Sequence, residues 1–460
     1  MFDEATIKQS AEIFNGKLIQ PGDADYDEAR TVWNGMIDRK PAAIVQCADV
    51  DDVVNAVNFA RENDLLISIK GGGHSVAGRS VCDDGLMIDF SRMKDVKVDP
   101  KAKTATVEPG AALADLDAAT QKHGLATTGG LVSETGVGGL TLGGGMGYLA
   151  RKYGLTVDNL ISADVVTAEG KVLHASDDEN SDLMWALRGG GGNFGIVTSF
   201  EFKLHEVGPE VLTAQIFYPM ETAEQVLRAY RDFAAEAPDE MSCYALAVNV
   251  PPIEPFPEEY HMKTAIVLVA CHIGDTKEGE KLLEPLQKLA EPIFQVVGQM
   301  QYAALQQSFD KGAPKGGRYY WKAHYMKSLP DEAIKTFVKK VDPLPGPFSL
   351  VGIEPMGGAI SRIEPSATAF PDRNAAFGMG IWSGWTEASH DEKAIEWTRE
   401  FHKAMEPYST GGVYANYLDR DDDDRVKDAF GVNHDHLRKI KAKYDPDNFF
   451  RMNQNISPKS

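Results

Sequence analysis

Three glycine-dense loops constrain this chain more than any other feature, because each abuts an apolar run that reads as a strand or a helix. The first is Lys70-Gly71-Gly72-Gly73-His74-Ser75-Val76-Ala77-Gly78-Arg79, directly after the strand-like Leu65-Leu66-Ile67-Ser68-Ile69. The second is Gly136-Val137-Gly138-Gly139-Leu140-Thr141-Leu142-Gly143-Gly144-Gly145-Met146-Gly147-Tyr148, and the third is Arg188-Gly189-Gly190-Gly191-Gly192-Asn193-Phe194-Gly195-Ile196-Val197. Glycine lacks a Cβ, so it serves where backbone turns sharply or another group comes close. Successive N–H groups in such turns form concave, electropositive nests suited to a diphosphate. The first loop lacks the Gly-Lys-Ser/Thr ending of a nucleotide-hydrolysing P-loop. The third satisfies G-x-G-x-x-G in reversed context, since a helical segment precedes it and a strand follows. A dinucleotide fingerprint needs strand then helix, which argues against a nicotinamide dehydrogenase. What remains is a set of close-approach loops with the imidazole of His74 at one tip. Taken alone, His74 reads first as a turn histidine bonded to nearby backbone.

The rest of the composition narrows the class. A chain of 460 residues with 43% hydrophobic content is long enough for more than one core. A net charge of −21 argues against nucleic acid and against an anionic membrane surface as partners. No apolar run approaches the ~20 residues that cross a bilayer, and Met1-Phe2-Asp3-Glu4 has neither a basic nor an apolar leader region. Cys47, Cys82, Cys243 and Cys271 are too far apart for a zinc site and read as reduced, mostly buried thiols. The expectation is a cytoplasmic protein, monomer or homodimer, without a metal.

Short strands and helices alternate at first. Ala43–Gln46, residues 65–69, Leu86–Phe90 and Thr104–Glu108 read as strands. Asp49 is placed to cap a helix, a second helix runs from Ala112 to His123 with Gly124 closing it, and residues 161–167 and 172–174 form a hairpin. From about residue 208 longer alternating strands appear, at 265–270, 318–325, 350–354 and 377–385, separated by helix-like segments such as 223–235 and 277–290. The expected class is α+β, the later part being an antiparallel sheet backed by helices.

Further segments act together with the loops. Tyr414-Ala415-Asn416-Tyr417-Leu418-Asp419 and Lys443-Tyr444-Asp445-Pro446-Asp447-Asn448-Phe449-Phe450-Arg451 stand near the end. In this order and spacing the chain resembles the berberine-bridge-enzyme-like branch of the vanillyl-alcohol-oxidase/PCMH flavoproteins, from about Arg39 to Ile456. Its texture is similar to that of bacterial members that oxidise hydroxynicotine. The resemblance implies a PCMH-type FAD-binding domain of two α/β subdomains over residues 1–207, a substrate domain over 208–411, and a segment over 412–460 that returns to the FAD domain.

It also implies an FAD bonded through its 8α-methyl carbon to the imidazole of His74. Many relatives add a cysteinyl bond four residues before the Gly-Val-Gly-Gly tetrad. Here that position is Val132, and residues 129–139 hold no thiol, so a single attachment is implied. The matching cofactor contacts are Lys70, Gly71, Gly72, Gly73, Ser75, Val76, Gly78, Gly130, Thr135, Gly136, Gly139, Gly143, Gly144, Gly145, Tyr148, Asn193, Gly195, Ile196, Val197, Tyr414 and Asn416.

Relatives place an aliphatic residue of varying size at the position of Thr135, near the dioxygen-facing side of the ring. Threonine is small, which favours an oxidase that releases hydrogen peroxide over a dehydrogenase feeding a quinone or a protein. Tyr417 matches the tyrosine that acts as base in many relatives; on residue type alone it reads as a buried aromatic. The implied reaction is oxidation of a CH–OH or CH–NH group of a small molecule, such as a sugar or an alkaloid. A flavin-free protein retaining the fold is the competing class. Tyr320, Lys322 and His324 share one face of the strand at 318–325, with Trp321 and Tyr325 on the other. Tyr320, Lys322, His324, Glu354 and Trp382 are candidate pocket residues. The run Asp421-Asp422-Asp423-Asp424 reads as a solvated loop face, because a calcium site needs interleaved ligands and glycine.

Overall fold

A computed structural model describes residues 11–458. Three sheets organise the chain. The first is four-stranded, with β1 (Lys17–Ile19), β2 (Ala43–Gln46), β3 (Ile67–Lys70) and β4 (Leu86–Asp89) in the order β1-β2-β4-β3. β2, β4 and β3 run parallel, and β1 is antiparallel to β2. The crossover between β2 and β3 is the helix Val50–Glu62, whose N-cap Asp49 accepts a hydrogen bond from the Asp52 N–H at 3.0 Å. Val53, Ala56, Val57 and Ala60 recur at helical spacing and are buried.

The second sheet is antiparallel. It comprises β5 (Val96–Asp99), β6 (Thr104–Val107), β8 (Leu160–Val166), β9 (Val172–Ser176) and β10 (Ile196–Lys203), in the order β5-β6-β10-β8-β9. A small ladder joins β7 (Leu125–Ala126) to β11 (His205–Glu206). The helix Leu113–Thr120 continues into a tight turn at Gln121–His123, and Gly124 ends it at φ +63°.

The third sheet has seven antiparallel strands: β12 (Glu210–Pro219), β13 (Met241–Asn249), β14 (Thr264–His272), β15 (Phe294–Gln301), β16 (Arg318–Met326), β17 (Leu350–Pro355) and β18 (Phe377–Trp385), in the order β15-β12-β14-β13-β17-β18-β16. One face buries the apolar stripes of three helices, Ala223–Glu236, Asp331–Val341 and Asp391–Met405. Alternation turns the other set of side chains, including Leu246, Tyr319, Trp321, Leu350 and Trp382, toward the glycine loops. The fold is α+β, with a cavity enclosed between the glycine loops and the third sheet.

The C-terminal helix His434–Tyr444 returns to the glycine loops. Its Lys441 is fully buried and donates to Asn193 O (2.7 Å), Phe450 O (2.8 Å) and Asp445 Oδ2 (2.6 Å). Asp445 also accepts the N–H groups of Phe449 and Phe450. A buried ion pair is tolerable only when its remaining hydrogen-bonding capacity is met in this way.

Candidate active site

The cavity is built where two glycine loops cross. A Cβ on Gly72 would lie 2.4 Å from the Gly136 backbone nitrogen, and one on Gly136 would lie 2.4 Å from that of Gly72. Only glycine fits either position. The walls bring together Gly71, Gly72, Gly73, His74 and Ser75 from the first loop and Gly130, Val132, Thr135, Gly136 and Gly139 from the second. Gly195, Ile196 and Val197 come from the third loop, and Tyr414, Asn416 and Tyr417 from the C-terminal segment. Two further contributors carry no sequence motif. Trp33 enters from the N-terminal segment, and Met452, Asn453 and Gln454 close one side. Asn453 Nδ2 donates to Gly192 O at 3.0 Å, so the chain end is tied to the third loop.

His74 stacks on the indole of Trp33, with centroids 4.8 Å apart and planes at 20°. Among the described residues none hydrogen-bonds its ring. Burial, with a smaller contribution from the Lys315 charge, pulls its pKa down to about 4. The imidazole is therefore neutral at physiological pH, with a lone pair free to act as a nucleophile.

At the third sheet the walls become aromatic. Trp321 and Trp382 are paired across β16 and β18. The indole of Trp382 lies across Gly352 and Gly380, where added Cβ atoms would come within 2.4 Å and 2.0 Å of it. Both tryptophans meet Tyr417 edge to face, at 5.8 Å and 5.3 Å. The Tyr417 hydroxyl donates to Glu354 Oε1 at 3.1 Å. Glu354 is 3% exposed, and its Oε2 has no partner. Burial raises its carboxyl to about 7, while the bond from Tyr417 lowers it. Burial and the neighbouring Glu354 push Tyr417 well above 10. Both groups are harder to ionise than in water, and together they form a short proton path from the cavity to a buried carboxyl. Asn416 Nδ2 and the Gly145 N–H both bond the Tyr414 hydroxyl at 2.8 Å, which fixes the backbone that presents Tyr417.

Several sequence-stated contacts lie elsewhere. The Lys70 amine points away from the cavity and donates to Ala29 O at 2.6 Å, with Asp89 at 3.9 Å. Val76 and Gly78 lie beyond the turn, and Gly78 leaves room for Ile37. Gly143, Gly144 and Gly145 make space for Asn416, Phe370 and Thr156 respectively, so they seat the Tyr414–Tyr417 segment from behind. Tyr148 packs edge to face on Tyr244 in a core cluster. Asn193 is an internal clamp, donating to Gly190 O and Gln454 O and accepting from the Ile456 N–H.

The pocket assignment of Tyr320, Lys322 and His324 is corrected. Alternation places them on the helix-covered face of β16. Lys322 Nζ pairs with Asp421 and Asp422 at 2.7 and 2.6 Å, and Tyr320 donates to Asp421 at 2.7 Å. His324 Nε2 bonds His402 O at 2.9 Å, and the two imidazoles stack at 3.9 Å. The aspartate run is likewise more than a solvated face: Asp422 is buried, Asp421 also binds Arg399 and Asp423 pairs with Arg79. Trp382 does line the cavity, and Glu354 stands behind Tyr417.

Comparison with known proteins bears directly on this geometry. Residues 41–176 match the FAD binding domain family, and residues 413–457 match the berberine and berberine-like family. An FAD-linked oxidoreductase of Dictyostelium discoideum is 32% identical, over 98% of this chain and 97% of that protein. The chain belongs to the berberine-like FAD-linked oxidoreductases. Among solved structures, 6-hydroxy-D-nicotine oxidase from Arthrobacter nicotinovorans aligns with a TM-score of 0.87 at 26% identity, over 97% of this chain and 98% of its own. Glucooligosaccharide oxidase from Acremonium strictum, whose FAD is 6-S-cysteinyl and 8α-N1-histidyl, aligns with a TM-score of 0.87 at 26% identity over 99% of both chains.

The residues of this oxidoreductase fit FAD. The crossed glycines expose backbone along the cavity, and neutral His74 faces it. The buried Arg79 Nε and Ser80 Oγ atoms lack partners, and both residues belong to the wall. Among the described residues no helix is long and apolar enough to cross a membrane.

Proposed function

We propose that this chain is an oxidase with FAD attached singly through His74. It removes two electrons from a CH–OH or CH–NH group of an uncharged, ring-bearing small molecule and passes them to dioxygen, yielding hydrogen peroxide. The observation that carries the reading is the Tyr417–Glu354 pair, set between two tryptophans in the same cavity that His74 faces.

Bound FAD supplies a two-electron acceptor. The protein must take the proton that leaves the substrate O–H or N–H, because losing hydride alone would leave a high-energy cation. Tyr417 stands at the cavity wall to receive that proton. As it does so, its own proton passes to Glu354 Oε1, so no free phenolate accumulates against a raised pKa. Val132 supports single attachment, since the cavity wall carries a valine and no thiol at this position. Thr135 supports reaction with dioxygen, since it lines the same cavity with a small side chain.

The substrate class follows from the walls. Besides neutral His74 and the phenols of Tyr319, Tyr414 and Tyr417, Arg79 is the only ionisable side chain among the lining residues, and Trp321 and Trp382 meet Tyr417 on walls that also include Leu246, Tyr319, Phe348 and Leu350. A cationic substrate would meet no lining carboxylate, and the Arg79 guanidinium is already paired with Asp423, so a charged substrate would lose its hydration uncompensated. Flat rings stack favourably on such walls. A peroxide-coupled screen of uncharged aromatic alcohols, cyclic amines and sugars, with anaerobic flavin reduction read in parallel, tests the proposal. Turnover with peroxide supports it. Flavin reduction without peroxide indicates a dehydrogenase.

A further inference from the structure

We infer that Trp33 is the positioning residue for flavin attachment: its indole, backed by Tyr319 of the third sheet, holds the His74 imidazole in the attacking orientation. This rests on the proposed attachment through His74.

The geometry around Trp33 joins the two parts of the molecule. Its N–H donates to Gly73 O at 3.0 Å, beside the histidine, and its carbonyl accepts from the Gly316 N–H at 2.8 Å. The indole Nε1 donates to Ala313 O at 2.8 Å. Asn34, fully buried, continues the clip: its Nδ2 donates to Val76 O (2.8 Å) and Tyr319 O (3.0 Å), and its Oδ1 accepts the Tyr319 N–H (3.1 Å). Gly35 N–H donates to Gly317 O at 2.7 Å. The segment thus stitches the His74 loop to the start of β16.

The rings complete the arrangement. Trp33 stacks on Tyr319 with centroids at 3.8 Å and planes at 13°, and on His74 at 4.8 Å and 20°. No described residue hydrogen-bonds the imidazole, so the indole face is what limits its rotation. A nucleophile without hydrogen-bonded orientation depends on packing for its near-attack geometry.

Attachment forms a C–N bond between an imidazole nitrogen and the 8α-methyl carbon. A methyl C–H and the imidazole N–H break, releasing two protons. The two electrons left on the cofactor pass to dioxygen, which takes them with two protons as hydrogen peroxide. Misorienting the imidazole slows this step without removing the loops that bind FAD.

The test uses full-length chain produced under riboflavin depletion and then mixed with FAD in air. Binding is read by quenching of FAD fluorescence. Covalent flavin is read as in-gel fluorescence of acid-precipitated protein over time. Trp33→Leu should bind FAD with affinity within about tenfold of wild type and attach it on the order of 10²-fold more slowly. Trp33→Phe keeps a ring but loses the Ala313 bond, and should restore most of the rate. If Trp33→Leu lacks a cooperative melt, Tyr319→Leu carries the test, since it removes the ring backing the indole and should also slow attachment. Attachment by the folded non-aromatic variant at the wild-type rate would overturn the inference, as would Trp33→Phe being as slow as Trp33→Leu. A wild-type protein that binds FAD but never retains it after acid refutes the His74 reading itself, a distinct result.

Discussion

Replacing Glu354 with glutamine keeps the side chain's size and deletes its capacity to accept a proton from Tyr417. Two magnitudes follow. Raising the carboxyl from 4.5 to about 7 costs its ionised form roughly 3 kcal/mol relative to water. The folded state therefore holds this proton more tightly than the unfolded chain. That contribution to stability is fully present below pH 4.5 and is lost as pH rises through about 7. Glu354→Gln should accordingly gain roughly 3 kcal/mol relative to wild type between pH 4.5 and pH 8, read by denaturant unfolding at each pH. Catalysis should move the other way. In wild type the anaerobic rate of flavin reduction should rise with pH and level off above about 7, where Glu354 is ionised and accepts. Glu354→Gln should lose ~10²–10⁴-fold at pH 8 and lose that pH step. A mutant within threefold of wild type and with an unchanged profile would refute the proton path.

Three further outcomes are expected. Tyr417→Phe preserves the ring that packs on Trp321 and Trp382; it should keep its flavin content and slow anaerobic reduction at least ~10²-fold by stopped flow. Thr135→Leu should slow reoxidation of the reduced enzyme in oxygenated buffer and lower peroxide yield, whereas wild type should reoxidise faster than free flavin. Gly136→Ala places a Cβ 2.4 Å from the Gly72 nitrogen, so thermal melting should fall and the purified protein should carry little flavin.

The glycine loops and their contents were legible because their chemistry is local. A run of glycines needs no distant partner to mark a close approach, and His74, Val132, Thr135, Asn416 and Tyr417 share one cavity wall. The strands from 318 to 385 were legible as strands, and β18 spans the expected residues. Which face of a strand meets a cavity depends on what covers the other face. The helix Asp391–Met405 settles that for β16, and nothing in the sequence of the strand announces it. Lys322 and His324 drew notice through their chemistry, and both turned out to be neutralised or bonded on the covered side. Asp421 to Asp424 read as solvated because the pairing lysine lies about a hundred residues away. Gly143, Gly144 and Gly145 were assigned to the cofactor, yet they make room for the side chains of Asn416, Phe370, Tyr414 and Thr156. Trp33 bore no motif. Its part emerges only from long-range contacts with Ala313, Gly316 and Tyr319.

The central claim is that a flavin lies in this cavity and is bonded to His74 alone. Purified wild-type protein should be precipitated with acid, washed, digested with trypsin and analysed by mass spectrometry for flavin-bearing peptides. The account predicts a yellow pellet with flavin on the peptide containing His74, none on any other peptide, and a colourless His74→Ala pellet. Flavin recovered free in the acid supernatant, or found on a different peptide, would contradict it.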